Sequence, residues 1–321
     1  APRDQWVKAW DNLTEDEKKV YARFAEVHAA YIDYTDEQIG RFLDYLEDSG
    51  QLNNTMIVVI SDNGASPEGD ANGFTNTVMW ANSVSEGGDS TGFQNDFLPI
   101  RNITNISTML SKIDEIGGPL SYPTYPLGWA MADNTPHKLY KWTSHEGGTH
   151  DPMIIYWPDG IKEEGGIRSQ FCHAIDVVPT VLDVLEFDAP EVYNGVTQKP
   201  IEGISLAYTF ANSTEPTHKK VQYFEMMGTR AIWYDGWKAV AFHHLNYGPD
   251  FQNDTWELYN LTDDVSEVHN LADQYPAKLE EMKDRWWAEA SKYNVLPLDD
   301  RAGARFSALQ ARGISTFTYL P

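Results

Sequence analysis

Two short stretches of the chain carry residue types whose spacing could do chemistry. The first is Ser61-Asp62-Asn63-Gly64-Ala65. Asp and Asn offer hard oxygen ligands and Gly64 allows a sharp bend, so the pair suits a divalent cation such as Ca²⁺ or Mg²⁺. The same triplet also makes an ordinary turn. The second is Lys138-Leu139-Tyr140-Lys141-Trp142-Thr143-Ser144-His145-Glu146-Gly147-Gly148-Thr149-His150-Asp151-Pro152. Adjacent glycines admit close approach of backbone, and Lys141, five residues before Glu146, could act as a point-charge anion binder. A solvated lysine on a surface loop is the competing reading. The histidines form no H-E-x-x-H or other zinc spacing, and only His145 and His150, flanking the Glu-Gly-Gly turn, stand as neighbours of a site.

These residues sit in an acidic protein. Lys and Arg total 24 against 48 Asp and Glu, a formal net charge of -24 over 321 residues. Such a surface repels phosphate backbones, so nucleic acid is excluded as a partner, and any anion site must be a local cluster of metal, Lys, Arg and backbone N–H groups. One cysteine, Cys172, rules out an internal disulfide and a multi-Cys zinc site, and reads as a small packed hydrophobe. No apolar run approaches the roughly 18 residues of a membrane span. No signal-peptide pattern follows Ala1-Pro2-Arg3, so any targeting signal lies outside this chain, and a periplasmic, secreted or secretory-pathway location stays open. Seven N-x-[ST] triplets, at Asn12, Asn53, Asn102, Asn105, Asn212, Asn253 and Asn260, are glycan acceptors only in that last setting and otherwise reflect an Asn- and Thr-rich composition.

The elements that must position these residues follow from periodicity. Thr14 to Ser49 predicts a long helix, with a capping box from Thr14 and Glu17, that ends near Gly50. Thr55 to Ser61 is an apolar β-branched run, which predicts a strand buried on both faces of a largely parallel sheet and places Asp62 at its carboxyl end. Residues 66–136 read as a long excursion. Pro152 to Pro158 predicts a second buried strand, and Asp176 to Leu185 a helix with Pro179 in its first turn. Beyond Val221 come short strands at Gln222 to Met226, Thr229 to Tyr234, Trp237 to Phe242 and Trp256 to Tyr259, with an Asp235-Gly236 hairpin turn, then an amphipathic helix from Pro276 to Lys292. Leu279, Met282, Trp286 and Trp287 at helical spacing read as core. The expected organisation is an α/β core over 1–210, a small α+β subdomain over 211–300, and a tail or arm over 301–321.

Taken in order, the motifs resemble the sulfatase family of the alkaline phosphatase superfamily, most closely its bacterial-type arylsulfatase branch. They are Ile60-Ser61-Asp62-Asn63-Gly64-Ala65; Leu139-Tyr140-Lys141 with Glu146-Gly147-Gly148 and Pro152; Asp176-Val177-Val178-Pro179-Thr180-Val181-Leu182; Arg230 to Lys238; Trp256 to Leu261; and Glu267 to Ala272. The resemblance implies a partial alkaline-phosphatase-like sandwich, a mixed, largely parallel sheet flanked by helices, followed by a small antiparallel sheet and helix. It implies that Asp62 and Asn63 are two ligands of a divalent cation, usually calcium, and that Lys141 binds the sulfate group of a small-molecule or carbohydrate sulfate ester. It also implies a formylglycine nucleophile, made from the Cys or Ser of a C/S-x-P-x-R signature, which no stretch of this chain matches. By resemblance that signature, two further aspartate ligands and further sulfate-binding residues belong to a segment preceding this one. Relatives usually carry Arg where this chain has His150.

The expected activity is therefore sulfuric ester hydrolysis by the intact protein, with the isolated chain inactive. The alternatives are a phosphate or phosphonate ester hydrolase of the same superfamily, and a non-catalytic fragment that associates with the missing N-terminal part or with itself.

Overall fold

Residues 1–76, 105–163, 165–243 and 251–300 are described by a computed structural model. Asn102, the middle of the expected excursion and the tail over 301–321 lie outside the described residues.

The first helix, α1, runs Glu15–Asp48. Its start is the expected capping box: Thr14 N–H donates to Glu17 Oε2 at 2.8 Å and Glu17 N–H donates to Thr14 Oγ1 at 3.2 Å. Gly50, at φ 69°, takes the left-handed conformation that stops helices. By contact the chain forms two compact units, each assembled from separate stretches: Ala1–Asp36, Ser61–Asp151 and the chain from Tyr223 in one, Glu37–Ile60 and Pro152–Gln222 in the other.

In the first unit, Val20, Tyr21 and Phe24 of α1 pack with Met109 of α2 (Ile106–Ser111) and with Ile116. A second cluster joins Leu127 and Ala130 of α3 (Leu127–Asp133) to Tyr140, with Ala65 and Leu139 packed against it. The short α4 spans Glu146–Thr149. The same unit holds a four-stranded sheet in the order β5-β6-β7-β8, with β5 at Val221–Met226 on the boundary, β6 at Thr229–Tyr234, β7 at Trp237–Ala241 and β8 at Trp256–Asn260. β6, β7 and β8 pair antiparallel, with Trp233 opposite Lys238 and Lys238 opposite Tyr259. The β6–β7 turn holds Asp235 and Gly236 at φ 49° and 84°, as a two-residue hairpin requires. The last helix, α6 (Pro276–Lys292), buries Met282, Trp286 and Ala290, and Trp286 Nε1 donates to Phe224 O at 3.1 Å. Arg230 lies over both Trp256 and Trp286 and pairs with Asp254 at 2.6 Å. Trp286 is core, as its spacing predicts, whereas Trp287 stays 40% exposed.

The second unit contains β1 (Ile57–Ile60), β2 (Met153–Tyr156), α5 (Val177–Val184) and a small hairpin, β3 (Val192–Tyr193) with β4 (Val196–Thr197). Here the parallel sheet expected from the apolar runs is corrected. β1 and β2 pair antiparallel, Ile57 opposite Tyr156 and Ile60 opposite Met153, as a two-stranded ribbon. Nor are both faces buried, since Ile60 is 43% and Ile154 61% exposed. An apolar β-branched run favours extended backbone, but strand direction and burial depend on what packs against it. Asp176 organises this unit. Its carboxylate accepts from the N–H groups of His173 and Ile204, both at 2.8 Å, and pairs with buried Lys219 at 2.9 Å. Cys172 is half-buried, which raises its thiol pKa.

No helix among the described residues is long and apolar enough to cross a membrane.

Candidate functional site

The site is assembled in the first unit from the Asp62 loop and the Lys138–Asp151 segment. Asp62 is exposed and Asn63 partly buried. Ser61 Oγ donates to Asn63 O at 2.9 Å, and Asn63 Nδ2 donates to Gly64 O at 3.0 Å. The amide nitrogen is thereby turned to the backbone, so the side-chain oxygen remains as the acceptor end.

Backbone contacts bring Lys141 to this loop across 76 residues of sequence. Lys141 N–H donates to Ala65 O at 3.1 Å. Asn134 fastens both strands of the contact: its Oδ1 accepts from Ala65 N–H at 3.0 Å and its Nδ2 donates to Leu139 O at 3.1 Å. Close approach explains the glycines. A Cβ on Gly64 would lie 1.8 Å from Gly147 O, and one on Gly147 would lie 2.2 Å from Leu139 O. Any larger residue at either position must push two backbones apart. Leu139 at φ 63° and Trp142 at φ 76° bracket Tyr140-Lys141, a conformation that costs a bulky residue about 1–3 kcal/mol each and persists only where the surroundings over-determine it.

The Lys141 ammonium is held by Glu68, Nζ to Oε1 at 2.8 Å, and Trp142 Nε1 donates to the same oxygen at 2.8 Å. Lys141 keeps 31% side-chain exposure, so the charge is oriented and still open to solvent. Nearby, Asp151 is pushed up to about 6, by burial first and then by the negative charge of Asp62. The two carboxylates form an oxygen-rich, anionic patch, and a hard divalent cation beside them relieves the repulsion that Asp151 feels. The donor set of Asp62 and Asn63 therefore fits such an ion.

Behind the segment lies a buried ionic cluster. Lys238 Nζ, from the middle of β7, bonds Glu146 Oε1 at 2.5 Å and Thr149 Oγ1 at 3.0 Å, with Glu267 Oε1 at 3.7 Å. Glu267 Oε2 accepts from Glu146 N–H at 2.8 Å. Burial would raise the Glu146 carboxyl, but the Lys238 charge and the hydrogen bond from His150 outweigh it and hold the group at about 2. Burial raises the Glu267 carboxyl above its ordinary value. A parallel network fixes the preceding residues: Glu257 Oε2 is met by His145 Nε2 at 2.8 Å, Lys138 Nζ at 2.9 Å and the Tyr259 hydroxyl at 2.7 Å. His145 is thus a buried partner of Glu257, and His150 pairs with Glu146 Oε2 through Nδ1 at 2.7 Å.

Of the residues singled out by sequence, Asp62, Asn63 and Lys141 are gathered around one loop contact. Sequence reasoning missed Glu68, Asn134 and Lys238. A lysine inside the strand Trp237-Lys238-Ala239-Val240-Ala241 was a readable signal, because charged residues inside apolar strands need a buried partner. Glu68 and Asn134 lie in irregular backbone and had no such mark.

The sequence and the fold resemble those of known proteins. The Sulfatase family description matches residues 3–187, and that for the C-terminal part of N-sulphoglucosamine sulphohydrolase matches residues 137–292. An uncharacterized sulfatase of Schizosaccharomyces pombe is 32% identical over 305 residues, which cover 94% of this chain and 49% of that protein. The arylsulfatase of Klebsiella aerogenes is 30% identical over 210 residues, 64% of this chain and 39% of that one. The crystal structure of Ps i-CgsB superposes with a TM-score of 0.52 at 18% identity, covering 96% of this chain and 50% of the other, and supports the fold alone. This chain spans half the length, or less, of these relatives.

Proposed function

From the premise that this chain belongs to the sulfatase family and its alkaline-phosphatase-like fold, we propose that it supplies part of the active site of a sulfuric ester hydrolase. The reaction breaks a sulfate ester with water into sulfate and an alcohol or phenol. Asp62 and Asn63 are assigned to a divalent cation, with Ca²⁺ the ion their hard oxygens suit, and Lys141 to the oxygens of the sulfate group. When bound, the cation supplies positive charge that polarises a sulfuryl oxygen.

The observation that supports this reading is the hydrogen bond from Lys141 N–H to Ala65 O at 3.1 Å, which holds the Lys141 backbone against the Asp-Asn loop. Lys141 exchanges its ion pair with Glu68 for the incoming anion. The exchange keeps the lysine ordered when no substrate is bound, so little side-chain entropy is lost on binding. With a net charge of -24, the protein draws an anion only through such a local cluster.

A nucleophile is not among these residues. We propose that the chain alone is inactive and that the formylglycine implied by family resemblance belongs to a preceding segment of the intact protein. The test uses a polypeptide in which this chain is joined to such a segment. Hydrolysis of an aryl sulfate is expected, Lys141→Ala lowering kcat by about 10²–10³ as for loss of one charge-stabilising donor. Unchanged turnover in that variant, a matched phosphate or phosphonate ester preferred over the sulfate, or turnover by the isolated 321-residue chain would each overturn the corresponding part of the reading.

A further inference from the structure

On one side of the Glu146–Lys238 cluster, His137, Glu146 and His150 each present a ligand atom, and the three atoms lie within 4.8 Å of one another. Glu146 and His150 stand four residues apart, one helical turn, on the same face of the α4 turn. His137 arrives from the turn after α3, and its ring stacks on that of His150 at 4.3 Å with 25° between planes.

We propose that these three residues form a binding site for a borderline transition-metal ion, Zn²⁺ being the representative, separate from the hard-oxygen site of Asp62 and Asn63. Two imidazoles and one carboxylate are a donor set that zinc takes and calcium does not favour. Two of the three ligands are held through their other polar atom, as metal ligands commonly are. His137 Nδ1 faces Val265 O at 3.4 Å, which leaves Nε2 as its second ring nitrogen, and Glu146 Oε1 is taken by Lys238 at 2.5 Å, which leaves Oε2 for the ion.

The distances ask for a small adjustment. Tetrahedral ligand atoms about 2.0–2.1 Å from zinc lie about 3.3 Å from one another. The Glu146 Oε2 to His150 Nδ1 separation of 2.7 Å is already inside that value, so the contraction falls on the His137 ring. In the bound state the ion takes the place of the proton shared by His150 and Glu146. The nearby cation Lys238 is also shared with Glu267, and the Asp151 carboxylate adds negative charge beside His150. His150 is 51% exposed, giving the ion a path from solvent and room for a water as fourth ligand.

The experiment is calorimetric titration of the chain with ZnCl₂ in excess CaCl₂, so that calcium fills the hard-oxygen sites. One zinc per chain is expected, with His137→Ala and His150→Ala each weakening it by at least about 10-fold, the melting temperature of His137→Ala staying near that of the parent. With cobalt(II) as probe, a visible d–d band is expected in the parent and lost in both variants. Glu146 is left untouched, because its loss would strand Lys238 in the interior. Absence of zinc binding, zinc affinity unchanged in either histidine variant, or loss of zinc on Asp62→Ala would overturn the site. The last result would place the ion in the oxygen site, so failure here is distinct from failure of the sulfatase reading.

Discussion

Two strand systems in this protein invert what hydropathy alone suggests. In the β5–β8 sheet the charged Lys238 is fully buried, whereas in the β1–β2 ribbon the aliphatic Ile60 and Ile154 are 43% and 61% exposed. The sheet buries a charge because β7 has neighbours on both sides and two carboxylates within reach. Among the described residues the ribbon has two strands, so each has a partner on one edge only and little surface covers its side chains. Burial is therefore decided by the partners a strand finds, and only secondarily by the residues it carries.

The sharpest way to break this contrast is Lys238→Met. It leaves Glu146 and Glu267 buried without their cation and is expected to cost about 3–5 kcal/mol in urea unfolding. A loss below about 1 kcal/mol would mean that water reaches the cluster and that it is no interior at all.

Acid titration separates the two carboxylates. Glu146 is held down at about 2 from an ordinary 4.5, so its contribution is present above 4.5 and is lost as pH falls from there toward 2. Glu267 is raised, so in the window above 4.5 the folded state takes up a proton before the unfolded chain does, and stability rises slightly as pH is lowered to that point. Melting temperature against pH should show this shallow maximum and then an acid decline, and Lys238→Met should flatten the decline. A parent profile that falls steadily from neutral pH would contradict the assignment.

Gly64→Ala comes next, at about 1–3 kcal/mol, since its Cβ would meet Gly147 O at 1.8 Å and separate the Asp62 loop from the Lys141 segment. Backbone amide exchange at Lys141 should speed up in this variant, and an unchanged rate would show that the loop contact does not depend on the glycine. The smallest effect belongs to the ribbon. Ile154→Thr should move stability by no more than about 0.5 kcal/mol, yet reduce self-association measured by sedimentation, as expected where exposed apolar edges drive it.

Much of the fold was legible along the chain because its signals are local. The capping box of Thr14 and Glu17, the Asp235-Gly236 turn and the spacing of Met282 and Trp286 each act over a few residues, and the structure realises all three. Ordered motifs likewise marked Asp62, Asn63 and Lys141, and the structure gathers their backbones around one contact. Strand direction was not legible, since the runs in β1 and β2 satisfy parallel and antiparallel pairing equally well.

By itself the sequence determined element types and the family and singled out Asp62, Asn63 and Lys141 as candidates, because propensity, capping and motif order are properties of neighbours in the chain. Tertiary structure alone decided which partners those residues meet. Glu68 reaches Lys141 from 73 positions away, Asn134 ties Ala65 to Leu139, and Lys238 reaches Glu146 across 92. Ion pairs and backbone contacts depend on distance in space, and no periodicity along the chain encodes a meeting of segments so far apart.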